Sequence, residues 1–130
     1  VIVAINNRAS AIRNRIDVAV ASGEPLALPA IALFELCYGA AKSANRERNA
    51  RRIDDFLAGP FSVLSFDGDD AREAGDIRAA LEAAGTPIGP YDVLIAAQAR
   101  RRKVLLVTAN AREFARVPGL ACEDWTRDVI

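Results

Sequence analysis

Two carboxylates stand alone in apolar stretches of the chain. From Pro29 to Ala41 the only charged residue is Glu35, between Phe34 and Leu36, and from Thr86 to Ala99 it is Asp92, followed by Val93-Leu94-Ile95-Ala96-Ala97. Burying an ionised carboxylate is costly unless it is paired, protonated or bound to a metal. Each has a plain alternative: Glu35 could hold a buried arginine. Asp92 could complement the positive end of a helix, since Pro90 suits the first helical position and puts Asp92 at the third. A third feature is Thr108-Ala109-Asn110-Ala111-Arg112-Glu113-Phe114, directly after the apolar run Val104 to Val107. Ligands gather at the carboxyl ends of strands in open α/β sheets. Asn110 and Glu113 are spaced i, i+3 and share a face if this turn is helical. Alone the segment reads as a helix start capped by Thr108 or Asn110. Together with Glu35 and Asp92 it suggests an oxygen-only site, suited to Mg²⁺ or Mn²⁺ and not to zinc or copper.

Composition narrows the chemistry further. The chain has no histidine, which excludes a Ser-His-Asp triad, a Cys-His dyad and imidazole acid-base catalysis. Its two cysteines, Cys37 and Cys122, form no Cys-x-x-Cys pair, so a structural zinc is excluded and a reducing, cytoplasmic setting is expected. No apolar run reaches the roughly 18 residues of a membrane span. Lys plus Arg and Asp plus Glu are both 17, so contact with a polyanion must come from a local patch. Arg46, Arg48, Arg51 and Arg52 form one such cluster, and Arg100-Arg101-Arg102-Lys103 another. The second could contact a phosphate backbone, or simply face the negative end of its helix. No aromatic stacking platform is evident, because the aromatic residues fall mostly in core-like runs.

The elements that must position these residues alternate between strand and helix across a single domain, residues 1–130. With 52% apolar residues, a substantial core is available. After the opening Val1-Ile2-Val3-Ala4-Ile5 and a break at Asn6-Asn7-Arg8, Ala9 to Ser22 has helical spacing and Gly23 stops it. Pro25 to Pro29 reads as a strand, Ala30 to Ala41 as a buried helix, and Asn45 to Ala58 as an amphipathic helix ended by Gly59-Pro60. Phe61 to Phe66 is a strand, Asp67 to Ala84 an acidic-started helix, and Tyr91 to Arg102 a helix opened by Gly89-Pro90. Val104 to Val107 is a strand buried on both faces, Ala111 to Ala115 a helical turn, and Leu120 to Glu123 a last strand. The pattern implies a three-layer α/β/α domain with a mostly parallel sheet.

From Val1 to Trp125 the chain resembles the PIN-domain ribonucleases, specifically the VapC toxins of bacterial toxin–antitoxin pairs. The resemblance is carried by Ala30-Ile31-Ala32-Leu33-Phe34-Glu35-Leu36-Cys37-Tyr38-Gly39-Ala40, by Pro87-Ile88-Gly89-Pro90-Tyr91-Asp92-Val93-Leu94-Ile95-Ala96-Ala97, and by Thr108 to Phe114 with Val117-Pro118-Gly119-Leu120. It implies a PIN-like domain with sheet order 3-2-1-4-5 and a metal-dependent endoribonuclease whose acidic cluster binds Mg²⁺ or Mn²⁺. Glu35 and Asp92 then match two of the family's acids, as catalytic residues and metal ligands. Asn110 stands where some members have an aspartate, with Glu113 nearby as the remaining ligand candidate and Thr108 in the same pocket. Arg100, Arg101, Arg102 and Lys103 become candidates for RNA-backbone contact. The implied partners are an RNA substrate, a VapB-like antitoxin and a second copy of the chain, the homodimer burying helical apolar surface around Ala40 to Ala58.

One departure concerns the start. The family's first acid ends its first strand in an Asp-Thr-Asn-like motif, which would fall just before Val1. The first strand is therefore expected upstream of residue 1, and the chain as written is expected to be N-terminally incomplete and inactive alone. The departure keeps a second reading open, a catalytically dead PIN scaffold that only binds a partner. A third, from another class, is a receiver-like signalling module with Asp67 as phosphoacceptor, disfavoured because Lys103 precedes its strand.

Overall fold

The computed structural model describes residues 2–3 and 10–125. The expected break at Asn6-Asn7-Arg8, the helix start at Ala9, and Val1, Ala4 and Ile5 of the opening run lie outside the described residues. The elements are β1 (Ile2–Val3), α1 (Ser10–Ala21), β2 (Leu26–Pro29), α2 (Ala30–Lys42), α3 (Arg46–Leu57), β3 (Phe61–Leu64), α4 (Gly68–Ala83), α5 (Pro90–Arg102), β4 (Leu106–Val107), α6 (Ala111–Phe114) and β5 (Cys122–Glu123). All pairings are parallel, in the order β3-β2-β1-β4-β5. The central position, expected to belong to a strand upstream of residue 1, is held by Ile2–Val3. Its backbone pairs with Ala27 on one side and with Leu106 and Val107 on the other.

A parallel sheet must be covered on both faces, and the buried residues divide accordingly. Leu28 and Leu106 pack with Ala32, Ala74, Ile77, Leu81 and the α5 residues Val93, Ile95, Ala96, Ala97 and Ala99. Val3, Leu26 and Val107 pack instead with Ala19 of α1 and with Trp125. Arg15 ties α1 to β5: its guanidinium donates to Glu123 Oε2 at 3.2 Å and lies 5.2 Å from the centre of the Trp125 ring. Trp125 Nε1 donates to the same oxygen at 2.9 Å.

Two expectations about individual elements are corrected. The run Ala30 to Ala41, read as a buried helix, has only Ala32 and Ala40 buried within α2. Phe34, Glu35, Cys37, Tyr38 and Gly39 are exposed, because the sheet and neighbouring helices cover only part of its circumference. The strand expected over Val104 to Val107 is reduced to Leu106–Val107. Its first residues close α5 instead, with Lys103 in the left-handed region (φ 55°) and the Val104 N–H donating to Ala99 O at 3.2 Å. That 6→1 bond satisfies a carbonyl at the helix end and delays the strand.

The basic run at the end of α5 is engaged with α4. Asp67 caps α4 by accepting from Asp70 N at 2.9 Å, and Asp70 Oδ2 accepts from Asp67 N at 3.0 Å, a reciprocal capping box. The Asp70 carboxylate also accepts from Arg101 Nε at 2.8 Å and from Arg102 Nη1 at 2.7 Å. Arg101 reaches Asp67 as well, and Arg100 pairs with Glu73 at 2.9 Å. Three of the four expected RNA-backbone cations are thus ion-paired within the fold, and only Lys103 of the run is exposed. Asp67, the phosphoacceptor of the receiver-like reading, is a cap paired to arginine.

Asp70 is fully buried. Burial alone would push its carboxyl up, but hydrogen bonds from Arg102, the Asp67 N–H and Arg101 outweigh it and hold the pKa at about 2, against an ordinary 3.8. A carboxylate that ionises more readily folded than unfolded lends stability that is complete above its unfolded pKa. Unfolding free energy should therefore fall by about 2 kcal/mol as the pH drops from about 4 towards about 2. Asp70→Ala, which strands two partly buried guanidinium groups, should cost about 2–4 kcal/mol in urea unfolding at neutral pH. A loss below about 0.5 kcal/mol would show that the knot contributes little to stability.

Candidate active site

The parallel sheet brings the three sequence features to one edge. Glu35 lies two turns into α2, which starts immediately after β2, and Thr108 follows β4 directly. Asp92 is in the first turn of α5, whose start packs near both. Leu28, Ala32, Glu35, Leu36, Asp92, Ile95, Thr108, Ala109, Asn110 and Phe114 line one cleft of about 210 Å³. Its walls are the carboxyl-terminal ends of β2 and β4, the edge where ligands bind in open parallel sheets.

The acids are not equivalent. Glu113, at the other end of α6 from Asn110, accepts from the Gly89 N–H at 3.0 Å through Oε1, and its Oε2 accepts from the Asn110 side-chain amide. Asn110 occupies the cap position of α6 but makes no side-chain cap bond. Its own N–H donates to Thr108 Oγ1 at 3.1 Å. Thr108 is buried and so fixes the turn between β4 and α6. The hydrogen bond from Gly89 leads the effects that hold the Glu113 carboxyl below its ordinary range, against burial that pushes it up; hydrogen bonds to Asp92 and Asn110 and the charge of Arg116 add to it.

Asp92 is driven the other way. Burial, then a hydrogen bond shared with Glu113, then the negative charges of Glu113 and Glu35 push its pKa from 3.8 to about 7. Glu113 and Asp92 thus share one proton between two carboxyls near neutrality. The plain reading of Asp92 as a helix-dipole carboxylate is true of its position, yet the two facing acids overcome the dipole.

Glu35 differs from expectation. It is exposed, so the cost of burying an unpaired charge does not apply to it. No salt bridge to arginine or lysine joins Glu35, Asp92 or Glu113 among the described residues. The arginine expected as the plain partner of Glu35 is therefore absent there. Gly89 escaped the sequence reading. A methyl group on it would stand 3.4 Å from Asp92 Oδ2 and 4.0 Å from Glu113 Oε1, ordinary contact distances, so what Gly89 contributes is the N–H it donates to Glu113. The only sequence signal was its place in Gly89-Pro90 ahead of Asp92.

An acid whose folded pKa exceeds its unfolded value destabilises the fold once ionised. In metal-free buffer, stability should decline as pH rises from about 4 through about 7. Asp92→Asn should remove that decline and raise stability by on the order of 1–2 kcal/mol above pH 7, the low value reflecting the offsetting shift of Glu113. Thermal melts across pH would check it. Parallel curves for wild type and variant would show that the acids do not repel each other.

Comparisons with known proteins agree with this architecture. Residues 1–120 match the PIN domain family. The "tRNA(fMet)-specific endonuclease VapC" of Salmonella typhimurium is 41% identical over 121 residues, covering 93% of this chain and 89% of that protein. "Ribonuclease VapC2" of Rickettsia felis is 35% identical over 124 residues, 95% of this chain and 91% of that protein. Among solved structures, DNA-bound VapBC from Salmonella typhimurium superimposes with a TM-score of 0.85 at 38% identity, over 95% of this chain and 96% of that one. With the parallel 3-2-1-4-5 sheet and the acids gathered at its carboxyl edge, these matches establish that the chain belongs to the PIN-domain family, in its VapC group.

Proposed function

We propose that this chain is the toxin of a toxin–antitoxin pair, an endoribonuclease that cleaves RNA with Mg²⁺ or Mn²⁺ held by Glu35, Asp92 and Glu113. The observation that carries the reading is a cleft at the carboxyl edge of the sheet lined by Glu35 and Asp92, with Glu113 hydrogen-bonded to Asp92 and none of the three acids in a salt bridge among the described residues. Relatives named as ribonucleases support the activity, and neighbours solved as VapBC complexes support a VapB-like antitoxin.

The donor set fits a hard divalent cation, being all oxygen. Asp92 and Glu113 already touch, and Glu35 faces them from α2. No three acids or thiols among the described residues form a ready-made cage. Such a cation supplies a more acidic bound water and shields charge on the scissile phosphate. The chain's own residues do the rest. The Gly89 N–H and the Asn110 amide orient Glu113 and keep it ionised, while Asp92, which holds its proton towards neutrality in the metal-free protein, would have to release it for a cation to bind. Buried Thr108 holds the Asn110 turn in register. A protein of this kind must be inhibited in its own cell, and an antitoxin arginine could satisfy the same carboxylates.

The test is cleavage of a structured RNA. Activity should require Mg²⁺ or Mn²⁺ and vanish with EDTA, and Asp92→Asn should lower kcat/KM by at least about 100-fold while the fold survives. Cleavage insensitive to EDTA would exclude the metal. The lack of a ready-made group of three metal-ligating side chains among the described residues favours the second reading, a silent scaffold. Antitoxin binding without any metal-dependent cleavage would establish that reading instead.

Dimerisation is part of the proposal. No residue of α3, Arg46 to Leu57, is buried, so a second copy can cover this helix within the expected Ala40 to Ala58 region. Light scattering at micromolar concentration should give twice the chain mass, and a monomer would refute the dimer.

A further inference from the structure

The exposed aromatic side chains of the protein all lie on α2 and α5, the helices that carry Glu35 and Asp92. Phe34, Tyr38 and Tyr91 are 49, 51 and 48% exposed, while the other five aromatic residues are buried or half-buried. Phe34 precedes Glu35 on α2 and Tyr91 precedes Asp92 on α5. Side chains at successive helical positions point away from each other, so the rings belong to the face of α2 and α5 next to the one that carries the acids. The two rings meet edge to face, centroids 5.4 Å apart at 69°, which leaves ring faces uncovered. One turn on from Phe34, Tyr38 carries the Lys42 ammonium 4.8 Å from its ring centre.

We propose that Phe34 and Tyr91, flanked by Tyr38 and Lys42, form a stacking platform for an unpaired RNA base next to the phosphate cleaved in the cleft. The proposal rests on the ribonuclease reading and names the form of its substrate, a single-stranded or looped segment. Aromatic faces joined to a positive charge are what a nucleotide requires: the base stacks, and the ammonium meets the phosphate. An apolar protein helix would need a continuous apolar groove, and here Glu35 and Asp92 interrupt the aromatic surface. Stacking tolerates any base, so the platform would hold the strand in place while leaving sequence choice to other contacts.

The experiment is steady-state cleavage, in Mg²⁺, of short single-stranded RNAs carrying one 2-aminopurine at successive positions. Wild type should quench the emission at one position near the cut. Phe34→Leu and Tyr91→Leu keep apolar bulk at half-exposed sites; each should lose the quench and raise KM roughly tenfold, with kcat changed by less than about twofold. Tyr91→Trp should retain both KM and quench. Unchanged thermal melting would confirm that the variants are folded, and a variant that melts early is replaced by the non-aromatic Phe34→Met or Tyr91→Met in the same comparison. Wild-type KM and quenching in both leucine variants would overturn the platform while leaving the ribonuclease reading intact. Unchanged RNA kinetics together with lost antitoxin inhibition would assign the patch to a protein partner and overturn it equally. Absence of cleavage of the structured RNA by wild type would remove the ribonuclease reading and this inference together, whereas cleavage of that RNA but of none of the short strands would overturn this inference alone.

Discussion

Helix α5 runs through the inside of the protein, with Val93 and Ile95 to Ala99 buried. A helix enclosed in this way cannot leave its ends to solvent, since terminal backbone groups need partners and the dipole needs compensation. The fold meets this constraint differently at each end. At the carboxyl end the left-handed Lys103 turn satisfies carbonyls, and three arginines fasten to Asp67, Asp70 and Glu73 of α4. At the amino end Pro90 removes an N–H that would otherwise need a partner, and Asp92 faces the open cleft. The first end is anchored, and the second is left available for chemistry.

That division explains why the two acidic groups of α4 and α5 titrate in opposite directions. Asp70 is the more deeply buried, yet guanidinium donors hold it near pKa 2. Asp92 keeps some solvent exposure where Asp70 has none, but burial and a hydrogen bond shared with the Glu113 carboxylate raise its pKa to about 7. Burial is common to both, and the identity of the neighbour decides the sign. Strain of this kind at a cleft, with no salt bridge to either acid among the described residues, is what a site for an external cation would carry.

Much of this was legible in the sequence, and the remainder has identifiable causes. Apolar runs broken by Gly23, Gly59-Pro60, Gly85 and Gly89-Pro90 located the helices and most of the strands, because those residues stop elements for local reasons. Isolation of Glu35 and Asp92 among apolar neighbours was enough to single them out. Exposure of α2 was not legible. An alanine- and leucine-rich helix reads as buried whether its outer face meets a neighbour or solvent, and that depends on tertiary placement. The Asp70 knot was missed for a related reason: Arg100 to Lys103 is a charge run in sequence, and only the crossing of α4 over α5 shows that three of its members are neutralised. The N–H of Gly89 that holds Glu113 has no sequence signature beyond the glycine itself.

The pairing of those arginines also bears on how an RNA could reach the cleft. The chain carries no net charge, so long-range attraction to a polyanion is weak. With Arg100, Arg101 and Arg102 committed to α4, the most concentrated basic run contributes little free positive potential, and the cleft itself is negative. A phosphate approaching Glu35, Asp92 and Glu113 would therefore be repelled unless a cation bound there first or contacts at the rim compensated. Metal binding and substrate binding are for this reason expected to be linked, the cation reversing the sign of the local field before the phosphate arrives. Stacking on uncharged rings adds affinity that this field does not oppose. In an otherwise neutral protein, a carboxylate cleft edged by aromatic side chains is a self-consistent way to bring a polyanion against acids.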